Sequence, residues 1–242
     1  GAGYDQVAPG LSPIADKTIL GNISGVTAAP VALTVAEGQE LLGVNFVTQT
    51  RTVSAPNATV PAHRLYASAA ETNVDLVLSP KGYGALLAAV PDNTTTGGNK
   101  RGQYAVDLQV GRIAATQVAS GNYSVVSGQN STASGSNSFA NGTSNLASGA
   151  MSVVIGGNAT TATATWSAVL GGQGGDATQT YAAVIAGLNG LASGGKSVVL
   201  GGDGTVASGA ESVASGYLST ASGPQSVAFG FRANATGSRS AV

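Results

Sequence analysis

A chain of 242 residues with a net charge of −1, 9% charged residues, 5% aromatics and 36 glycines has room for one or two domains and an unusual composition for either. Its 43% apolar content and mean hydropathy of +0.19 exclude an intrinsically disordered polyelectrolyte, and glycine does not recur at every third place as collagen demands. The near-neutral charge offers nucleic acid no basic patch, no apolar run approaches the roughly 20 residues that span a bilayer, and the absence of cysteine excludes disulfides.

In chain order, residues 1–45 read as a turn-rich segment with no signal-peptide pattern at its start. Leu20–Thr34 is punctuated by Gly, Asn and Pro, and Val35–Gly43 is the best short-helix candidate, with Gly43 as its C-cap. Residues 46–118 read as a β-rich connector. Val44–Val53 and Asn73–Ser79 alternate as strands. Ser79–Gly82 suits a type I turn, and Ala85–Val90 is expected to return as the partner strand. Pro91–Gly102 reads as a polar loop, after which Tyr104–Gly121 leads into a repeat.

Residues 119–242 repeat. Aligned on the first alanine of Ala-Ser-Gly, the units begin at Ala119, Ala133, Ala147, Ala162, Ala177, Ala192, Ala207, Ala221 and Ala235, in steps of 14, 14, 15, 15, 15, 15, 14 and 14 residues. Counting that alanine as position 1, position 2 is always Ser or Thr. Position 3 is Gly except at Ala164 and Gln179, position 6 is Ser except at Ala182, and position 10 is Gly except at Ala186. Positions 7 and 8 are small or β-branched apolar residues, Val125 and Val126 for example. A fixed short period with position-specific residues marks a solenoid whose coils are too short for helices. Neighbouring residues of a strand point to opposite faces, so one apolar column fills the coil and the other forms a stripe along the outside. Such a stripe needs a partner, which predicts an oligomer. At ~4.8 Å per stacked strand, eight coils make a rod of roughly 40 Å. The longer steps between Ala147 and Ala207 predict larger turns mid-rod. The absence of an initiating Met and the truncated last unit predict a fragment of a longer chain.

Ser152–Gly156 (SVVIG), Ser197–Gly201 (SVVLG) and Ser226–Gly230 (SVAFG) closely resemble the repeats in the head domains of trimeric autotransporter adhesins. The resemblance covers Ala119–Val242. It implies an all-β, fibrous homotrimer built on a left-handed parallel β-roll. The front half resembles bacteriophage tail and head fibres: Thr72–Leu87 (TNVDLVLSPKGYGALL) looks like a phrase such fibres use. Gly98–Gly128 resembles the junction by which they enter adhesin-like repeats. Together these resemblances imply a virion fibre, trimeric and rigid, on tail or capsid, with other virion proteins and a host-surface glycan or protein as partners. The alternative is the head domain of a bacterial trimeric surface adhesin, placed on the cell surface.

The chemistry sought elsewhere does not assemble. The single histidine, His63, sits beside Arg64 without a triad. Asp75, Asp92, Asp107, Asp176, Asp203 and Glu211 are scattered, whereas a glycosidase needs two carboxylates flanking a groove. Gly171–Gln179 imitates a calcium-binding nonapeptide but carries Thr178 where a large apolar residue belongs, and the period is wrong. No phosphate loop follows any glycine cluster. The expectation is therefore no catalytic residue, no metal and no cofactor. Position 5 alone varies freely: Tyr123, Asn137, Met151, Trp166, Tyr181, Lys196, Glu211, Gln225 and Arg239. Tyr123, Trp166 and Tyr181 are the candidates for glycan binding, Trp166 and Tyr181 being expected to stack on adjacent coils. The competing and favoured reading is that these aromatics pack across the oligomer.

Overall fold

The computed structural model describes residues 73, 75 and 77–242, with the backbone of four short strands, at 20–21, 31–32, 47–52 and 62–67. It divides into two units, Gly1–Leu78 and Ser79–Val242. In the first, Leu20–Gly21 pairs antiparallel with Val31–Ala32, and Val47–Thr52 pairs antiparallel with Ala62–Ala67, placing His63 opposite Arg51. The expected strand at Val44–Val53 therefore forms over most of its length. The helix expected at Val35–Gly43 lies outside the described residues.

The second unit is a parallel β-solenoid of about nine turns, with no helix among the described residues. Two ladders run its length. An alanine ladder stacks eight strands from Thr132–Ala133 to Asn234–Ala235. A valine ladder stacks ten, from Leu86–Leu87 through Val106–Asp107 and Val125–Gln129 to Val227–Phe229. The register keeps like on like: Val154 pairs with Ala140 and Val169, and Ala147 with Ala133 and Ala162. Position 1 alanines and the position 8 residues from Val126 to Ala228 are fully buried and form the core. Small side chains are required there because the two ladders close on each other across a thin interior.

The turn after position 3 explains two other columns. Gly135 at position 3 is buried, and a Cβ on it would lie 2.0 Å from the Gly149 carbonyl oxygen of the next coil. Only glycine allows that approach. At position 6 the hydroxyls of Ser124, Ser138 and Ser167 donate to the position 3 carbonyls at 2.7 Å, closing the turn from inside. Position 5, between them, has positive φ in every coil from Tyr123 (58°) to Arg239 (57°), as the third residue of a type II-like turn requires.

The core also contains a polar file that sequence columns hide. Gln109, Ser131, Asn145 and Thr160 are buried one above another. The Asn145 side-chain amide donates to the carbonyls of Asn141 (2.6 Å) and Gly156 (2.7 Å), and its Oδ1 accepts from the Thr160 hydroxyl at 2.9 Å. Gln109, Ser131 and Asn145 satisfy backbone carbonyls that would otherwise be buried unpaired, and Thr160 completes the file by donating to Asn145.

Two local expectations are corrected. The turn lies at Lys81–Gly84, with Gly84 N–H donating to the Lys81 carbonyl and Gly82 at φ 59°, rather than at Ser79–Gly82. Gly82, the second residue of this turn, takes a left-handed φ that glycine adopts without a Cβ penalty. Leu86–Leu87 pairs parallel with Val106–Asp107 instead of returning against Asn73–Ser79, of which the described residues form no strand. Parallel stacking prevails because it places Ala85 against the solenoid core.

Candidate functional site

The solenoid presents three surfaces of different chemistry. The first is the outer face of the valine ladder. Position 7 residues are half-buried, as a stripe facing away from the core should be. Position 9 shares that face and carries Ile155, Leu170, Ile185, Leu200 and Phe229, between 36% and 52% exposed. Sequence reasoning overlooked position 9, although the signal is present: four large aliphatic residues follow one another immediately after the position 8 valines. The stripe is thus two columns wide.

The middle coils are longer for a visible reason. Each inserts one residue after position 9, and Asn158, Gln173, Leu188 and Asp203 form a further set of parallel bridges that starts on Thr143. Asn158, Gln173 and Leu188 donate from backbone N–H to the carbonyls of Gly172, Gly187 and Gly202. The larger mid-rod turns expected from the spacing are this corner. It is also where the outer face changes character. In the long coils position 9 is always a large aliphatic residue, as in Ala168 with Leu170; in the short coils it is polar at Ser127, Asn141 and Ser215 and apolar at Phe229.

The second surface is the edge formed by position 5. Trp166 and Tyr181 stack on adjacent coils, ring centroids 6.4 Å apart and planes 9° from parallel, as expected. Tyr123 is elsewhere on the edge: it stacks on Tyr104 (4.9 Å), which Tyr83 meets edge-on (5.6 Å), and Asn137 and Met151 separate it from Trp166. Beyond Tyr181 the edge turns polar. Lys196 Nζ lies 3.1 Å from Glu211 Oε1, Gln225 donates to Glu211 Oε2 at 3.0 Å, and Arg239 Nε donates to Gln225 Oε1 at 3.0 Å. The bonds from Gln225 and Lys196 hold the Glu211 carboxyl below its usual range. A shallow groove lies here, lined by Thr180, Tyr181, Gly195, Lys196, Ala210 and Glu211.

The third surface is the N-terminal end of the roll. Asp107 occupies the core-facing place of its strand and is fully buried. Arg101 Nε meets its Oδ2 at 2.6 Å and Arg112 Nη2 lies 3.6 Å from the same oxygen. Arg101 also donates to the Gly97 and Asn99 carbonyls, and Arg112 to those of Thr96 and Gln109. Burial pushes the Arg112 guanidinium below its ordinary value, against the pull of Asp107. This is a plug: two guanidiniums pin the 92–100 loop across the end of an apolar core. In that loop Asp92 accepts bonds from Thr94, which lower its carboxyl pKa.

The other carboxylates are dispersed. Asp176 sits on the alanine ladder and accepts a bond from the Thr161 hydroxyl, while Asp203 sits on the mid-rod corner. Among the described residues no three His, Asp or Glu side chains gather as metal ligands would. No helix there is long and apolar enough to cross a membrane.

With this geometry in place, the comparisons with known proteins can be read. The YadA head domain repeat matches residues 119–145, 207–233 and 221–240. No curated protein matches the chain. The three matched stretches lie over the 14-residue coils at either end, and the 15-residue coils between Ala147 and Ala207 fall outside them. The repeat domain is therefore like an adhesin head at its two ends, with an altered coil between.

Proposed function

We propose that this chain is the head of a trimeric surface adhesin, a rigid spacer that holds a binding surface away from the cell. The observation that carries the reading is the two-column apolar stripe on the valine ladder, joined to the match of the end coils to an adhesin head repeat. Exposed ladders of Ile, Leu and Phe are costly in water, and copies of the same chain in register cover them most economically. In that assembly three parallel β-rolls, left-handed as in the adhesin heads they resemble, stand side by side around the stripe. The function is mechanical and adhesive: the reading assigns it no catalysis, cofactor or metal, and places it extracellularly.

A second reading, a virion fibre on tail or capsid, is favoured by the resemblance of Thr72–Leu87 and Gly98–Gly128 to phage fibre phrases. Antibody labelling of the producing cells and of any particles they release separates the two. Label on the cell envelope supports the adhesin; label on particle appendages overturns it for the fibre. Degradation of purified capsule or lipopolysaccharide by the chain contradicts the non-enzymatic assignment.

A further inference from the structure

We infer that the groove beside Tyr181 binds a neutral oligosaccharide chain lying along the rod, with Tyr181, backed by the stacked Trp166, as its aromatic wall and Lys196, Glu211 and Thr180 as its hydrogen-bonding partners. The backbone supplies the first argument. Position 5 is left-handed in every coil, and Trp166 and Tyr181 hold φ 61°. Asn, found there at Asn137, accepts that conformation readily, whereas for bulky side chains it is a true outlier. About half of each ring still faces outward, Trp166 being 49% and Tyr181 56% exposed. Their mutual stacking offsets part of that strain. Large aromatics thus stand half-exposed on a left-handed backbone, which directs attention to a ligand.

The second argument is the shape and chemistry of the groove. Its floor, Gly195 and Ala210, is small, and a Cβ on Gly195 would meet nothing within 4 Å. The lining carries one ammonium and one carboxylate held together at 3.1 Å, so it offers a donor and an acceptor without net charge. Hydroxyls of a sugar use both, its apolar ring face suits an aromatic wall, and a polyanion finds no excess of cations. Successive coils continue the groove parallel to the rod, which suits a chain of sugars. The inference names a ligand for the adhesive rod proposed above and rests on that reading for its setting.

The test uses Trp166, the one tryptophan of the chain, as reporter. The 242-residue protein is titrated with hexasaccharides of glucose, of mannose and of N-acetylglucosamine, following tryptophan fluorescence and heat. At least one series is expected to give saturable binding, weakened about tenfold or more by Tyr181→Asn and by Gly195→Phe. Tyr181→Asn should melt like the parent, because Asn suits the left-handed backbone, and Gly195→Phe fills open space. Absence of saturable binding to all three, or binding unchanged in both variants, overturns the inference. So does binding of sulfated chains alone, abolished by salt. A trimer that binds no sugar removes this inference and leaves the rod standing; a monomer removes the rod.

Discussion

The 14-residue coils at the two ends and the 15-residue coils in the middle are one solenoid solved in two ways. In the end coils position 3 is glycine, buried, and its N–H donates to the alanine carbonyl one coil on, as Gly135 does to Ala147 and Gly209 to Ala221. In two of the four 15-residue coils Ala164 and Gln179 replace that glycine, are more exposed, and make no such bond, whereas Gly149 and Gly194 in the other two keep it. The middle coils compensate at the opposite corner, where the inserted residue creates additional parallel bridges. At those two coils close packing is lost at one corner and made up at the other, and through the middle coils the outer stripe gains bulk at position 9. A short motif can therefore drift from its family pattern while the two core ladders remain unbroken.

The comparison can be broken where the coils differ most. The largest effect is expected from the end plug: Asp107→Ala leaves two buried guanidiniums without their counter-charge and should cost about 3–5 kcal/mol, read as a large fall in the chemical-denaturation midpoint. Next comes position 3. Gly135→Ala places a methyl against a backbone oxygen and should cost about 1–3 kcal/mol, whereas Ala164→Gly in the middle should change stability by about 1 kcal/mol or less. Equal costs at the two sites would remove the distinction between the coil types. Deleting Gly171 tests the corner itself: it should displace Gln173 from its bridges to Asn158 and Leu188 and lower the melting temperature while preserving the ladders on either side. The smallest effect belongs to the exposed polar edge. Glu211 has a folded pKa below its unfolded value, so its contribution is present at neutral pH and is lost as pH falls through the folded pKa. Because the group is exposed, Glu211→Gln should barely alter melting at neutral pH and should flatten what little acid dependence that edge supplies.

Much of this fold is legible in the sequence because stacking makes each position speak nine times. The alternation of positions 7 and 8 assigns inside and outside, and the structure agrees. The changed step length locates the altered corner. What escapes is what repetition does not repeat. The polar file of Gln109, Ser131, Asn145 and Thr160 changes residue type at each coil, so no column announces it. The plug is a single event: Asp107 looks like one scattered carboxylate until its strand is stacked beneath Val126. The Lys81–Gly84 turn was misplaced because Pro80 and Gly82 satisfy two turn registers equally well in sequence. At the candidate site, the Trp166–Tyr181 stack follows from the spacing. The groove depends on Gly195 and Ala210 being small in consecutive coils, which acquires meaning only once position 4 is seen beside position 5.

The central claim is that the outer stripe is covered by copies of the same chain. The direct measurement is solution mass by light scattering on the parent chain and on the double variant Leu170→Asp, Ile185→Asp, which places two charges on the mid-rod stripe without touching the core. The account predicts about three times 23.4 kDa for the parent and a folded monomer for the variant. A parent chain that is monomeric and stable at all concentrations would contradict it.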